Sequence, residues 1–321
     1  MIQTVEGPLP RSQIHNTLAH EHMVFGKPGF ALDSDNPYQR DTAFRHGVER
    51  LEMVKPFQVD LVVDPTTIEW GRDPLLLRRL SRATGVALVC CTGYFKDEGD
   101  MLAHLKARSY CEDLEATLAQ EFEKELVQGI GNTGVRAGFL KVASSWGEIR
   151  PLEKTIFSAA VRAARRCDVG ILTHCERGTM AAQQAELFLS LGMDPRRVIL
   201  GHMTSNRDLA EIRAVADQGF RVGFDQFGIL SIPGIPDDEE KYRHLLTLVE
   251  QGYGDRIVLS QDTICDRMGY VSKSKPRYPD QIYREVLPRL RREGVPEETL
   301  HRMTRDTLLE VLDDRTDAPS P

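Results

Sequence analysis

The sequence predicts an α/β protein with a single (β/α)8 barrel, the fold also called a TIM barrel. Eight short apolar segments alternate with helical patterns along the 321 residues, which is typical of a parallel sheet with helical crossovers. The segments are continuous apolar runs, as expected when both faces of a strand are buried. A doubly wound open sheet is the alternative, but no Gly-x-Gly-x-x-Gly motif follows any of the predicted strands.

The predicted strands are short segments rich in Val, Ile and Leu. The first ends near residue 20, and the others cover residues 60–64, 86–91, 135–142, 169–174, 197–202, 220–224 and 256–262. Each interval contains one helical pattern, and two more cover residues 279–293 and 297–312. The N-terminus is expected to form an extended lead-in, residues 23–42 a loop, and the tail from about residue 316 a disordered segment. The whole chain, residues 1–321, is therefore expected to form one barrel domain.

The composition argues against several classes of protein. The net charge of -7 argues against nucleic acid as a main partner, because nucleic acid binding needs a concentrated positive face. No segment reaches the ~20 apolar residues of a membrane span, and the N-terminus shows no signal peptide. The six cysteines include no Cys-x-x-Cys pair and suit a reducing compartment. We therefore expect a cytoplasmic protein that acts on a small-molecule substrate.

A His-x-His motif at the end of the first predicted strand is the feature around which the chain is organised. His20 and His22 are one residue apart, and side chains at this spacing on extended backbone point the same way. Two imidazoles at a strand end can hold one transition metal ion. The alternative is a chance pair of histidines in a loop, and the other strand ends decide between these interpretations.

Polar residues also fall at the ends of other predicted strands. In a barrel the carboxyl ends of the strands meet at one face, and active sites lie there. Four of the nine histidines stand at such ends, which scattered surface histidines would not be expected to do. The candidate site residues are His20, His22, Lys141, His174, His202 and Asp262.

Lys141 lies within an apolar strand, where an ammonium group is costly unless it is neutralised or paired. Three interpretations compete. The amine could form an ion pair with a carboxylate such as Asp262, or form a Schiff base with a carbonyl substrate. It could also be carboxylated by carbon dioxide and become an anion that bridges two metal ions. The neighbouring histidines favour the third interpretation.

Sequence motifs spread over most of the chain carry a resemblance to a known family. They are Gly7-Pro8 with residues 17–22 (TLAHEH), 134–143 (GVRAGFLKVA), 173–174 (TH), 197–202 (RVILGH), 259–262 (LSQD) and 292–300 (REGVPEETL). With these motifs the chain resembles the phosphotriesterase family of the amidohydrolase superfamily. One departure is the segment 304–307 (TRDT), where the family often has Asn-Pro near the last helix. That region is structural, so the departure does not threaten the predicted metal site.

The resemblance implies a centre of two divalent metal ions and a homodimer. It assigns the more buried ion to His20, His22 and Asp262, and the more exposed ion to His174 and His202. Carboxylated Lys141 and a hydroxide would bridge the two ions. Neutral imidazoles with two anions suit Zn²⁺ first, with Co²⁺ or Mn²⁺ as alternatives. The hydroxide would attack the substrate, and Asp262 would take the proton.

The loops after the strands are expected to determine the substrate. Tyr94 resembles the tyrosine that lactonase members of the family place over the metal pair, with an ordinary packing residue as the alternative. Arg177 and Arg267 could hold an anionic group of the substrate, although such charges more often belong to solvated loops. Trp70 and Trp146 could line an apolar pocket.

The leading hypothesis is a metal-dependent hydrolase of a lactone or carboxylic ester, with phosphotriester cleavage as a promiscuous side activity. An amide or N-acyl hydrolase on the same metal pair is the runner-up, and it would depend more on protonation of the amine leaving group. A metal-independent Schiff-base lyase that uses Lys141 is a further alternative. A non-catalytic binding protein is least favoured, because all six metal-site positions are intact.

Overall fold

Eight parallel strands form one sheet in a computed structural model of the chain, and their order in the sheet follows the sequence. The structure describes residues 1–99, 101–229, 233–270 and 276–313. The strands, labelled in chain order, are β1 (Asn16–Leu18), β2 (Val59–Asp64), β3 (Ala87–Gly93), β4 (Phe139–Ser144), β5 (Ile171–Cys175), β6 (Val198–Leu200), β7 (Arg221–Phe224) and β8 (Ile257–Leu259). The predicted barrel is confirmed, whereas the predicted disordered tail lies outside the described residues.

Helices surround the sheet and connect its strands. They are α1 (Arg40–Val54), α2 (Pro74–Thr84), α3 (Ala103–Ser109), α4 (Leu114–Val127), α5 (Pro151–Cys167), α6 (Ala181–Ser190), α7 (Leu209–Asp217), α8 (Asp238–Glu250), α9 (Leu287–Arg292), α10 (Glu297–His301) and α11 (Thr307–Leu312). The short helix α3 was not predicted. Within the described ranges, no helix has both the length and the apolar character that crossing a membrane requires.

The first and last strands of the barrel are joined beyond their ends. The backbone N–H of Asp262 donates to the carbonyl of His20 over 2.9 Å. After this contact the segments Glu21–Gly26 and Thr263–Met268 pair as parallel strands. The prediction of a loop from residue 23 is therefore wrong for its first residues, because the backbone there pairs with the segment that follows β8.

A buried carboxylate fixes this junction. Glu21 lies between the two histidines of the His-x-His motif and is fully buried. One of its oxygens accepts hydrogen bonds from the Ser260 hydroxyl over 2.7 Å and the Gln261 N–H over 3.0 Å, and the other accepts from the Thr263 N–H over 2.8 Å. Glu21 thus holds the end of β8 beside the end of β1, and it has a structural role.

An N-terminal hairpin closes the opposite end of the barrel. The segments Ile2–Thr4 and Gly7–Leu9 pair as antiparallel strands, where the sequence suggested only an extended lead-in. A Cβ on Gly138 would lie 2.5 Å from the carbonyl oxygen of Gln3, so the hairpin packs directly on the chain before β4. Residues 135–138 therefore lie outside the sheet, and β4 begins later than predicted.

Candidate active site

The six predicted site residues line one cavity of about 100 Å³ at the carboxyl ends of the strands. Each reaches the cavity from a strand or from the residues directly after a strand. Their positions are His20 after β1, His22 in the paired extension of β1, Lys141 in β4, His174 in β5, His202 after β6 and Asp262 after β8. Residues separated by up to 242 positions in the chain are therefore neighbours in space.

Nitrogen and oxygen atoms converge inside this cavity. The Nε2 atoms of His20 and His22 lie 3.8 and 3.4 Å from Oδ1 of Asp262. Ligand atoms of His20, His202 and Asp262 all lie within 4.8 Å of one another. His202 Nε2 also lies 2.7 Å from His174 Nδ1. Imidazole nitrogens and a carboxylate at these separations suit Zn²⁺, Co²⁺ or Mn²⁺, so the donor set fits the implied ions.

A single carboxylate orients two of the imidazoles. Asp225 follows β7 and is buried. Its Oδ2 accepts a hydrogen bond from His20 Nδ1 over 2.9 Å, and its Oδ1 accepts from His202 Nδ1 over 3.0 Å. Because Nδ1 of each ring carries the proton in this arrangement, each Nε2 is left unprotonated toward the cavity. The sequence reasoning missed this residue.

The other two imidazoles are held in the same manner. His22 Nδ1 forms a hydrogen bond of 2.7 Å with the hydroxyl of Thr66, which follows β2. His174 Nε2 forms a hydrogen bond of 2.7 Å with Glu176, whose carboxylate also accepts from Lys96 Nζ over 2.5 Å. One nitrogen of each ring is thus anchored to the protein while the other faces the cavity, which is typical of metal ligands.

Burial keeps the imidazoles of His20 and His174 neutral. Loss of solvent lowers the pKa of His20 to about 3, and it lowers the pKa of His174 to about 3 as well. Both rings are therefore uncharged at pH 7, which is the form that binds a cation.

The amine of Lys141 is buried. Its Nζ donates one hydrogen bond to the carbonyl of Thr173 over 3.1 Å, and burial lowers the pKa of the amine to about 8. A substantial neutral fraction is therefore present at mildly alkaline pH. Gly93 stands opposite Lys141 on β3 with a φ of 124°, and a Cβ there would lie 2.0 Å from the Lys141 carbonyl oxygen. Only glycine lets the two strands approach this closely.

Two of the candidate ligands have unusual backbone conformations. His202 has a φ of 65° and Asp262 a φ of 51°, in the left-handed region that non-glycine residues rarely adopt. The surroundings hold both conformations. Asp225 Oδ1 accepts from the backbone N–H of His202 over 2.9 Å, and the guanidinium of Arg277 donates to the carbonyl of Asp262. Such conformations are concentrated at functional sites.

The structure does not bring the three predicted substrate-binding residues to the cavity. The Tyr94 hydroxyl donates to Glu121 on α4 over 2.9 Å, so Tyr94 is a packing residue between the sheet and a helix. Arg177 lies 4.8 Å over the ring of Trp146, which is 64% exposed. Arg267 donates to the hydroxyl of Tyr270 over 2.7 Å. Each of the three side chains therefore contacts a group outside the cavity, and their roles toward the substrate stay predictions.

Apolar side chains form the outer wall of the cavity. Phe25, Trp70, Phe95 and Ile264 line it. Trp70 was one of two tryptophans considered for this role, and the other, Trp146, is on the surface. Phe95 contacts His174 with ring centroids 4.5 Å apart, so the apolar wall reaches the histidines directly. The sequence reasoning missed Phe25 and Phe95.

Glu69 connects two loops at the edge of this wall. Its Oε1 accepts the N–H of Phe95 over 2.6 Å, and its Oε2 is buried without a partner in the described part of the chain. Burial raises the pKa of Glu69 to about 7. The folded state therefore favours protonated Glu69, which contributes to the free energy of unfolding. This contribution is fully present below the unfolded pKa of 4.5 and is lost as the pH rises through 7.

We expect Glu69→Gln to remove this pH dependence. The amide keeps an acceptor for the Phe95 N–H and carries no charge at any pH. Relative to wild type, the variant should gain about 1–3 kcal/mol of unfolding free energy between pH 4 and pH 8, measured by urea denaturation. The exposed residue Glu186 supplies a control, since Glu186→Gln should shift the curve by less than about 0.5 kcal/mol. A constant difference between Glu69→Gln and wild type across this range would contradict the expectation.

The fold and the site together define a class of protein. A (β/α)8 barrel with imidazole, carboxylate and amine groups around a cavity at the strand ends is the architecture of a barrel enzyme whose site could hold divalent cations. The model of the phosphotriesterase family matches residues 1–310, and the chain therefore belongs to the phosphotriesterase family of hydrolases.

Individual relatives agree with this assignment. A protein of Saccharolobus solfataricus named aryldialkylphosphatase is 30% identical over 294 residues, which cover 88% of this chain and 90% of the relative. A protein of Rattus norvegicus named N-acetyltaurine hydrolase is 25% identical over a match that covers 95% of this chain and 95% of the relative. A solved structure of a mutant of the PTE-like lactonase of Deinococcus radiodurans is 36% identical, with a TM-score of 0.93 over 97% of this chain and 100% of the other.

Proposed function

We propose that this chain hydrolyses a lactone or carboxylic ester with two divalent metal ions, with Zn²⁺ as the first choice and Co²⁺ or Mn²⁺ as alternatives. The observation that carries the proposal is the convergence of six ligand-type side chains in one cavity. We assign one ion to His20, His22 and Asp262, the other to His174 and His202, and both to carboxylated Lys141. When bound, such ions polarise a carbonyl or phosphoryl oxygen and lower the pKa of a nearby water.

Asp262 is the group that we expect to take the proton of the attacking water. Its Oδ2 accepts a hydrogen bond from Gln226 Nε2 over 3.0 Å, and its Oδ1 faces the His20 and His22 rings. The amide oxygen of Gln226 in turn accepts from the Ser205 hydroxyl over 2.7 Å, which fixes the direction of the amide. The carboxylate therefore has one defined orientation toward the cavity, as proton transfer requires.

The residues that line the cavity favour an uncharged substrate over an anionic one. Aromatic and aliphatic side chains form its outer part, which suits the hydrocarbon portion of a lactone or ester. Among the described residues that line the cavity, Lys141 is the sole lysine or arginine, and its amine is assigned to the metal centre. Arg177 and Arg267 contact groups elsewhere, so the described cavity offers no further cation for an anionic group.

A second candidate function is hydrolysis of an amide or N-acyl bond at the same centre. The relative named N-acetyltaurine hydrolase favours it. The attack on the carbonyl would be the same, but the amine leaving group needs a proton, which Asp262 would return. Phosphotriester cleavage, suggested by the relative named aryldialkylphosphatase, is proposed as a side activity.

Metal removal combined with a substrate panel tests the proposal. We expect dialysis against a chelator to reduce hydrolysis at least about 100-fold, and added Zn²⁺, Co²⁺ or Mn²⁺ to restore it. The panel compares kcat/KM for γ- and δ-lactones, aryl esters, N-acyl amino acids and a phosphotriester. The highest value is expected for a lactone or ester. A higher value for an N-acyl compound would favour the second candidate, and hydrolysis that survives complete metal removal would contradict both.

We further propose that the chain acts as one barrel domain in the cytoplasm, as a homodimer. The dimer rests on the family resemblance. Sedimentation equilibrium over a range of protein concentrations tests it, and a mass of one chain at every concentration would contradict it.

A further inference from the structure

The group that anchors His174 differs from those that anchor the other three imidazoles. Asp225 and Thr66, which hold the other rings, are buried. Glu176, which holds His174, has a side chain that is 21% exposed. A carboxylate that water can reach gains little from one hydrogen bond, because water competes for the same oxygen. The anchor of His174 is therefore the one that depends most on a further contact.

Lys96 makes that further contact from the loop after β3. Its side chain is buried, and its Nζ lies 2.5 Å from Oε2 of Glu176. The same oxygen lies 2.7 Å from Nε2 of His174. Nζ of Lys96 also lies 2.5 Å from Oε2 of the exposed Glu98. Because an ammonium group only donates and a carboxylate only accepts, the hydrogen bond between Glu176 and His174 places the ring proton on Nε2.

Two acceptors compete for the ring proton of His174. One is Glu176 at Nε2, and the other is His202, whose Nε2 lies 2.7 Å from Nδ1 of His174. His202 Nε2 can accept a proton because Nδ1 of the same ring donates to Asp225. If Glu176 moves away toward water, the His174 ring can carry its proton on Nδ1 and donate it to His202. The nitrogen that faces the cavity would then be protonated, and a protonated nitrogen cannot bind a cation.

We propose that Lys96 is a positioning residue for His174, because by holding Glu176 it keeps the ring proton on Nε2 and leaves Nδ1 available to a cation. Lys96 is not one of the described residues that line the cavity, and it acts only through Glu176. It thereby controls one of the two ions, the one assigned to His174 and His202. The effect on this ion rests on the proposed function, whereas the position of the ring proton does not.

The position of the ring proton can be measured without metal or substrate. Long-range proton–nitrogen correlation spectra of metal-free protein with isotope-labelled histidine distinguish the two tautomers by the chemical shifts of the ring nitrogens. The signal of His174 is assigned by its loss in His174→Asn. We expect the proton on Nε2 in wild type, and on Nδ1 in at least about half of the molecules in Lys96→Met. A proton that stays on Nε2 of His174 in Lys96→Met would overturn the proposal.

Matched controls separate this effect from a displaced loop. Lys96→Arg keeps a cation at the position and should retain the wild-type tautomer. Glu98→Gln removes the exposed partner of Lys96 and should retain it as well. The signals of His20 and His22, which Asp225 and Thr66 anchor, should be unchanged in Lys96→Met. A change of tautomer in all of these rings would show a general disturbance and would overturn the specific role of Lys96.

Metal binding tests the consequence for the site. Competition between the protein and a chelator for Zn²⁺, with the bound ions counted by native mass spectrometry, measures the affinity of each ion. In Lys96→Met one ion should bind about 10- to 100-fold more weakly, which is the range for loss of a group that orients a ligand, and the other should change less than about 3-fold. Equal weakening of both ions would overturn the selective role of Lys96. If wild type bound no metal while the His174 tautomer shifted as expected, the proposed function would fail and the positioning role would stand.

Discussion

Replacement of Lys141 by methionine is expected to remove most of the bound metal and to lower kcat/KM at least about 1,000-fold. Methionine fills a similar volume without an amine, so carboxylation by carbon dioxide becomes impossible. The amine lies in the cavity with the other predicted ligands, and it donates a hydrogen bond to the Thr173 carbonyl over 3.1 Å. Metal content would be measured by plasma emission spectrometry on the purified protein and activity on the best lactone or ester.

Chemical rescue separates a missing bridge from a damaged fold. A short carboxylic acid such as acetate or propionate should enter the space left by the Lys141 side chain and restore part of the activity of Lys141→Met. The exposed Lys55, which forms a surface ion pair with Glu52, provides a control, and Lys55→Met should retain full metal content. Full activity in Lys141→Met, or a complete metal complement, would contradict the assignment of Lys141 to the metal centre.

The fold could be predicted because its strands are continuous apolar runs. In β2 and β3 the alternate residues belong to two buried clusters, one inside the barrel and one beneath the helices, so no polar face interrupts the pattern. The pairing of Glu21–Gly26 with Thr263–Met268 could not be predicted, because it depends on the buried Glu21 carboxylate and on contacts 242 positions apart along the chain. A local pattern carries no information about such contacts.

The position of Tyr94 outside the cavity has a simple origin in strand geometry. Side chains alternate between the two faces of a strand. Cys91 belongs to the cluster inside the barrel, whereas Cys90 and Tyr94 belong to the cluster beneath the helices. Counting along β3 from Cys91 therefore assigns Phe95 to the interior face and Tyr94 to the exterior face. The structure follows this alternation, since Phe95 lines the cavity and Tyr94 contacts Glu121 on α4.

The placement of the six candidate ligands could be predicted because five of them stand at or just after the end of an apolar run, and Lys141 is a charged residue inside one. The groups that orient them are harder to recognise. Thr66 and Glu176 follow β2 and β5 as ordinary loop residues, and their hydrogen bonds to imidazoles become visible only when the strands are assembled. Asp225 did have a recognisable signal, because it is the first residue after β7 and alternates in phase with Gly223 on the interior face.

Asp225→Asn should produce the second large effect, a loss of about 10- to 100-fold in metal affinity. The asparagine can accept a hydrogen bond from one imidazole, but its NH₂ group would face the N–H of the other. One of His20 and His202 must then rotate or change tautomer, and its Nε2 no longer presents a lone pair to the cavity. Metal affinity would be measured by competition with a chelator of known strength.

An exposed histidine–aspartate pair provides a matched control. His15 Nδ1 lies 2.8 Å from Asp60, which is a contact of the same kind as that between His20 and Asp225 but on the surface. Asp60→Asn should leave metal affinity unchanged and cost less than about 1 kcal/mol of stability, because exposed ion pairs contribute little. A difference between the two variants would therefore report the position of the carboxylate and not the general effect of removing a charge.

Excess metal distinguishes two ways in which Asp225 could act. If the carboxylate only strengthens binding, saturation of Asp225→Asn with Zn²⁺, Co²⁺ or Mn²⁺ should return kcat to the wild-type value. We expect kcat to remain at least about 10-fold low at saturation, because a rotated imidazole also displaces the atoms around Asp262, and small displacements in an active site reduce rates strongly. Unchanged metal affinity in the variant would show that His20 and His202 keep their orientation without Asp225, and the shared carboxylate would then have no role in the centre.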